Sequence, residues 1–261
     1  MALFDDVFNK ASIYEMLFFN VKSVLIHPTL EDLEAKNKLL FERWQFLAKL
    51  KHHVNGLENK QYVETNYQEN APHYPEYTKI VAITYATLYA ENGALKRFFK
   101  KIVNEDEYVV LATFMDVLYE LSSSGSKSNP QYFPMFCGHN IISYDIPLLI
   151  KRFILHRDKF EHNKQLPYIL KRSLNIKPWE SGVIDIVNVW KFNGYDNMPL
   201  MLIADYLGLK KTVELLSLVE LSRYYWENIS GKPKETLEFV SLQSATQTNL
   251  VIQLINELRQ L

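Results

Sequence analysis

Many of the residue patterns on which enzyme chemistry usually rests are scarce in this sequence. A single cysteine, Cys137, excludes an intramolecular disulfide and a multi-cysteine zinc site, and it suits a reducing cytoplasm. Its place inside an apolar run marks it as buried filler. The seven histidines are scattered, and His52-His53 has nothing beside it at metal-ligand spacing, so no zinc site is expected. Neither a Gly-rich phosphate loop nor a G-x-S-x-G nucleophile elbow occurs. No uninterrupted apolar run approaches the roughly 20 residues that span a bilayer. Asp5 and Asp6 stand where a secretory leader would carry basic residues. A soluble protein of the cytoplasm, with no membrane partner, is expected. An excess of one charge is missing too. Lys and Arg number 29 against 30 Asp and Glu, a formal charge of -1, so any nucleic-acid contact must use a local groove and not a global basic field.

What the chain does have is 261 residues at 48% hydrophobic content, enough for a substantial core. Residues 16–26 are rich in β-branched and aromatic types and end at His27-Pro28, which predicts a central strand. Over 30–54, Leu33, Leu39, Leu40, Trp44, Leu47 and Leu50 recur at helical spacing before Gly56, predicting one long amphipathic helix. The polar stretch 57–77, with Pro72 and Pro75, predicts an irregular connection. Two β-rich runs, 79–89 and 94–103, flank Glu91-Asn92-Gly93 and predict a hairpin. Helical spacing over 105–121 opens with acids suited to a helix N-terminus, and a Ser-rich loop over 122–130 should end it. A buried strand over 132–137, a helix over 147–156, a strand over 183–187 and helices over 198–207, 213–229 and 236–258 complete the pattern. Together they predict one α/β domain over 1–261, a mixed sheet flanked by helices, with 28–78 as a peripheral helical insertion and a mostly helical final third.

One stretch crowds polar groups onto a strand-to-helix junction: Gly138-His139-Asn140-Ile141-Ile142-Ser143-Tyr144-Asp145-Ile146-Pro147-Leu148-Leu149-Ile150-Lys151-Arg152. It resembles the second metal motif of the 3'-5' exonucleases of the DEDD superfamily. The likeness is greatest to the stand-alone bacterial and phage proteins related to the exonuclease domain of family-B DNA polymerases. Lys177-Pro178-Trp179-Glu180, Ile184-Asp185, Trp190-Lys191-Phe192 and the run from Leu202 through Asp205-Tyr206-Leu207-Gly208-Leu209 are similar to segments that follow that motif in the same proteins. The resemblance implies a ribonuclease H-like fold and single-stranded DNA or RNA as ligand. It also implies a partner among replication, repair or virion proteins, and a host cytoplasm or virion as the location if the source is a phage.

A two-metal phosphodiesterase needs several carboxylates converging on cations about 3.5 to 4 Å apart, and the resembled family supplies four. Its opening strand carries Asp-x-Glu, where this chain has Asn20 and Lys22. Asp145 keeps the acid of the second motif. On the last helix, Asn249 aligns with the third-motif acid and Ala245 with its tyrosine. The four positions thus pass from minus four to zero formal charge. Each unit charge about 4 Å away is worth roughly 4 kcal/mol at an effective dielectric near 20, so high-affinity metal binding should be lost. The expectation is a nucleic-acid-binding pseudo-exonuclease with no resident metal, in which Asp145 is the one remaining metal-ligand acid and the Lys22 ammonium stands in for the ions. Two alternatives stay open. One is an active Mg- or Mn-dependent 3'-5' exonuclease that recruits Glu15, Asp185 or Asp205; the other is a structural or interaction protein, such as a phage component, that keeps only the scaffold.

His139, Asn140, Tyr144 and Arg152 are the candidate strand contacts within the motif. Three of them have a plainer reading: turn backbone for His139 and Asn140, and a solvated charge or an ion pair with Asp185 or Glu180 for Arg152. Asp145 also suits a helix N-terminus. Lys96, Arg97, Lys100 and Lys101 alternate in pairs with apolar residues, as on a wet sheet edge. Trp190 and Phe192 stand where an aromatic stacks on a base, although buried packing is the commoner use of such residues.

Overall fold

The computed structural model describes residues 12–51, 60–128, 134–160, 165–174, 182–192, 194 and 197–260. β1 (Met16–Leu25) is buried along its whole length, and its apolar side chains alternate between two cores as the pleat requires. It is the central strand of a five-stranded sheet of order β3-β2-β1-β4-β5, in which the others are β2 (Thr78–Glu91), β3 (Ala94–Val103), β4 (Met135–Gly138) and β5 (Val183–Asp185). β2 runs antiparallel to β1 and β3, whereas β4 and β5 run parallel to β1. Asn92 and Gly93, at φ 52° and 76°, turn the hairpin between β2 and β3, the left-handed pair that matches strand twist. The expected fold class is therefore the observed one, a mixed sheet flanked by helices in a ribonuclease H-like arrangement.

Helices cover both faces. On one, α4 (Glu107–Ser128), α5 (Ile146–Leu155) and α6 (Tyr168–Ser173) close over Leu17, Phe19, Ile83 and Phe136. On the other, α7 (Ile186–Trp190), α8 (Leu200–Leu207) and the long α10 (Pro233–Leu258) close over Met16, Phe18 and Cys137. Burial pushes the Cys137 thiol well above its ordinary range, as core filler should be. Beside them, α9 (Leu218–Asn228) packs on Val24 and Val81. The expected helix over 213–229 begins only here, after Ser217 and Glu220 form a capping box.

Between β1 and β2, α1 (Leu30–Lys36), α2 (Lys38–Lys51) and α3 (Lys60–Asn70) gather around Trp44, against which Tyr67 and Tyr77 stand edge-on at 5.5 and 5.2 Å. Three expectations are corrected. The single helix over 30–54 breaks at Asn37, whose φ of -150° leaves helical space and whose side chain instead accepts the Leu40 amide at 3.1 Å. The described part of the stretch 57–77, from 60 on, is not irregular: it contains α3, a polar helix that docks through Val63 and Tyr67. And α4 runs on through the serines at 122–128, Ser122 bonding the Leu118 carbonyl at 2.6 Å within the helix. Among the described residues no helix is long and apolar enough to cross a membrane.

Candidate functional site

The site is built where β4 gives way to α5. A Cβ on Gly138 would stand 2.4 Å from Ile141 Cγ2 and 2.9 Å from the Phe19 carbonyl oxygen, so the crossing requires glycine. Asn140 then takes a left-handed φ of 62°, which asparagine tolerates. Residues Ile141–Asp145 wind a single π-helical turn, a form common where function bends a helix. From β5, the buried Asp185 carboxylate accepts the amides of Asn140 at 2.8 Å, Ile142 at 2.9 Å and Val187 at 3.1 Å. Asp185 is thus the clamp of the turn and does not pair with Arg152.

This turn presses Asp145 against β1. β1 pairs with β4 only through Phe18, and beyond that point the Asp145 carboxylate replaces the missing strand: its Oδ2 accepts from the Val21 amide at 3.1 Å and from Asn20 Nδ2 at 3.2 Å. Asn20 Oδ1 is buried without a hydrogen-bond partner. Lys22, only 5% exposed, donates from Nζ to Gln247 Oε1 on α10 at 2.6 Å. α10 is held in place by Ser244, which donates to the Asn20 carbonyl at 3.0 Å and accepts the Thr84 amide at 3.1 Å. Asn20, Val21, Lys22, Asp145 and Gln247 line a cleft of about 440 Å³ whose wall over 199–201 and 215–218 is mostly apolar, with Pro199, Leu200, Met201, Leu215, Leu216 and Leu218.

Burial dominates the electrostatics. It raises the Asp145 carboxyl to about 7, against the Val21 amide and Lys22, which favour the anion. It lowers the Lys22 ammonium to about 8, against the attraction of Asp145. Among the described lining residues Lys22 is the one lysine or arginine and Asp145 the one buried carboxylate. Glu220 sits exposed at the rim, its Oε2 accepting from both the amide and the hydroxyl of Ser217 at 2.8 Å.

Asn20, Lys22 and Asp145 therefore meet, as the sequence reading requires, and Asn249 does not join them. It lies about 200° around the helix from Gln247 and accepts a hydrogen bond from Arg97 on β3. The alignment of Asn249 with a site position is corrected: Gln247 is the α10 residue facing the cleft. A signal for this exists, since Ser244, Gln247 and Thr248 form a polar i, i+3, i+4 stripe that excludes Asn249.

His139, Asn140 and Tyr144 line the cleft. His139 Nε2 lies 3.2 Å from the Met198 carbonyl, and burial lowers its imidazole. The Tyr144 hydroxyl turns inward, 2.8 Å from Ser23 Oγ and 3.0 Å from the Pro72 carbonyl, tying the site to the segment that precedes β2. Arg152 is elsewhere: it is buried, and donates from Nε to Glu107 Oε1 at 2.7 Å and from Nη2 to Oε2. Glu107 also takes the Ile80 amide at 2.7 Å and His156 Nε2 at 2.9 Å. The expectation of a solvated Arg152, or of a partner at Asp185, is corrected, because α4 brings this acid in from a distant part of the chain; Glu180 lies outside the described residues. The acids considered as recruits are committed as well, Glu15 to capping Ser12 and Asp205 to Lys211 at 2.6 Å. Lys96, Arg97, Lys100 and Lys101 are exposed along β3, a wet edge two strands from β1. Trp190 packs on the core of α8 and α10, but Phe192, at φ 45°, is 52% exposed instead of buried. Among the described residues no group of three or more His, Cys, Asp or Glu is placed to hold a metal ion. Comparison of the chain with protein-family models, curated proteins and solved structures gives no match.

Proposed function

We propose that this chain is a 3'-5' exonuclease-like protein of the DEDD type that binds single-stranded nucleic acid in the cleft without cutting it. One observation carries the reading. Asn20, Lys22 and Asp145, the positions that the resemblance equates with metal ligands, converge with Gln247 on one cleft and bring two amides, one ammonium and one carboxylate. A divalent ion about 4 Å from the Lys22 ammonium would be repelled by roughly 8 kcal/mol at an effective dielectric near 20, and a single carboxylate offsets no more than that. A second ion would have no acid to hold it. The alternative of an active enzyme with recruited acids has no observation in its favour, because Glu15, Asp185 and Asp205 are all engaged elsewhere. A replication, repair or virion protein of the cytoplasm is the setting that this reading suits.

The test is to incubate the protein with 5'-labelled single-stranded DNA and RNA in the presence of Mg or Mn. We expect the strand to be retained on the protein and recovered at full length. Loss of 3' nucleotides that disappears in Asp145→Ala would overturn the inactive reading, and failure to retain either strand would overturn the binding one.

A further inference from the structure

We infer that Lys22 and Gln247 form a metal-independent phosphate site, so that the ligand of the cleft is a phosphate ester held directly by the protein. This deepens the nucleic-acid reading and rests on it for the identity of the strand, although the phosphate site itself rests on geometry. An ammonium carries three N–H donors. At Lys22, one goes to Gln247 Oε1 at 2.6 Å, and among the described residues there is no carboxylate in salt-bridge contact. A lysine only 5% exposed, with donors left over and no counter-ion at contact, is an unfinished arrangement, since buried charges are ordinarily paired and hydrogen-bonded. The Gln247 side chain adds an amide N–H₂ that has no partner among the described residues. A phosphate oxygen arriving from the cleft would meet both. A phosphate ester fits better than a smaller anion, because the cleft's Leu200, Met201, Leu215 and Leu218 offer apolar surface to the rest of an ester, and about 440 Å³ accommodates one nucleotide unit and no duplex.

The adverse groups are Asp145, Glu220 and, behind the turn, Asp185. Asp145 Oδ2 already accepts two donors, Glu220 is turned to Ser217, and Asp185 is spent on three amides. His139 and Tyr144 are the remaining titratable groups of the described lining: His139 faces the Met198 carbonyl, and the Tyr144 hydroxyl is turned to Ser23 and the Pro72 carbonyl.

The experiment is calorimetric titration of the full chain, in EDTA, with inorganic phosphate, thymidine 5'-monophosphate, thymidine and a short oligothymidylate. The variants are Lys22→Met, Lys22→Arg and Gln247→Leu, with thermal melts to confirm folding. The nucleotide should bind without metal and thymidine at least tenfold more weakly. Lys22→Met should lose about ten- to a hundredfold, the range of a hydrogen bond to a charged group, with part of that retained in Lys22→Arg. Binding of inorganic phosphate alone would separate a free-phosphate site from one that needs the ester. Equal binding of nucleotide and nucleoside, dependence on Mg, or indifference to Lys22→Met in a folded variant would overturn the phosphate site. If the oligonucleotide binds and Lys22→Met changes nothing, the strand-binding reading survives and this inference fails. If the mononucleotide binds and no oligonucleotide does, the reverse holds. If neither binds, both fall.

Discussion

At Lys22 the ammonium is held down to about 8 and at Asp145 the carboxyl is held up to about 7, in both cases because burial opposes the charged form. The consequences for stability have opposite signs. Asp145 in the fold keeps a proton that the unfolded chain has already released, so its contribution is complete below the ordinary carboxylate range and is lost as pH rises to about 7. Lys22 in the fold gives up a proton that the unfolded chain keeps, so its contribution is complete above the ordinary lysine range and is lost as pH falls to about 8. Between them lies a minimum near neutral pH. Each tenfold displacement of a proton equilibrium is worth about 1.4 kcal/mol. Urea unfolding from pH 4 to 10 should therefore show Asp145→Asn gaining on the parent protein between pH 4 and 7, and Lys22→Met gaining as pH falls from 10 to 8. Difference curves that stay flat in both windows would show that the two groups are not desolvated as described. The same titration sets the net charge of the pair, positive below about 7 and negative above about 8, so phosphate affinity should decline across that interval. Asn20, Lys22 and Asp145 were legible in the sequence because each sits in a motif with fixed spacing. Gln247 was not, because a position on a long helix is defined by which face is turned inward, and a shift of two residues reverses the face.

The turn between β4 and α5 illustrates how an element is held by a residue far from it in sequence. Three amides, of Asn140, Ile142 and Val187, end on the one carboxylate of Asp185, and the π-helical turn that they brace carries Asp145 to the Val21 amide. Asp185→Ala leaves the three donors without this acceptor. At roughly 1 to 3 kcal/mol for each buried unsatisfied group, partly relieved by water, a loss of about 3 kcal/mol or more is expected. It should appear in the urea midpoint and, more locally, as faster amide exchange at Val21, Ile142 and Val187. A loss under about 0.5 kcal/mol, the level of an ordinary surface substitution, would mean that the turn holds itself. The hairpin, the helix after Glu105 and the strand before Gly138 were all readable from period and turn chemistry. What escaped reading depended on tertiary partners. α3 has a polar sequence and becomes a helix by docking Val63 and Tyr67 on Trp44, and the serines at the end of α4 stay helical although their type favours a stop.

On the scale of the whole molecule, balanced charge means that affinity for a strand depends on where single cations stand. Among its described lining residues the cleft holds one lysine or arginine, Lys22. The densest group of cations, on β3, lies along the sheet edge with α10 packed across β1, β2 and β3, and Arg97 there is already bonded to Asn249 and stacked at 5.6 Å on Phe99. We expect a short strand seated in the cleft to engage Lys22 and not Lys96, Lys100 or Lys101, which stand on the exposed edge strand. For single strands the logarithm of affinity falls with the logarithm of salt by about 0.7 per phosphate neutralised. One neutralised phosphate therefore gives a loss of only about threefold between roughly 50 and 200 mM salt, whereas adding the three β3 lysines would give about fiftyfold. Fluorescence anisotropy of a labelled oligothymidylate over that range should return the shallow slope, unchanged by Lys96→Ala, Lys100→Ala and Lys101→Ala together. A steep slope that the triple variant flattens would move the strand from the cleft to the sheet edge. The ligand path would then follow the charge of the hairpin and not the arrangement around Asp145.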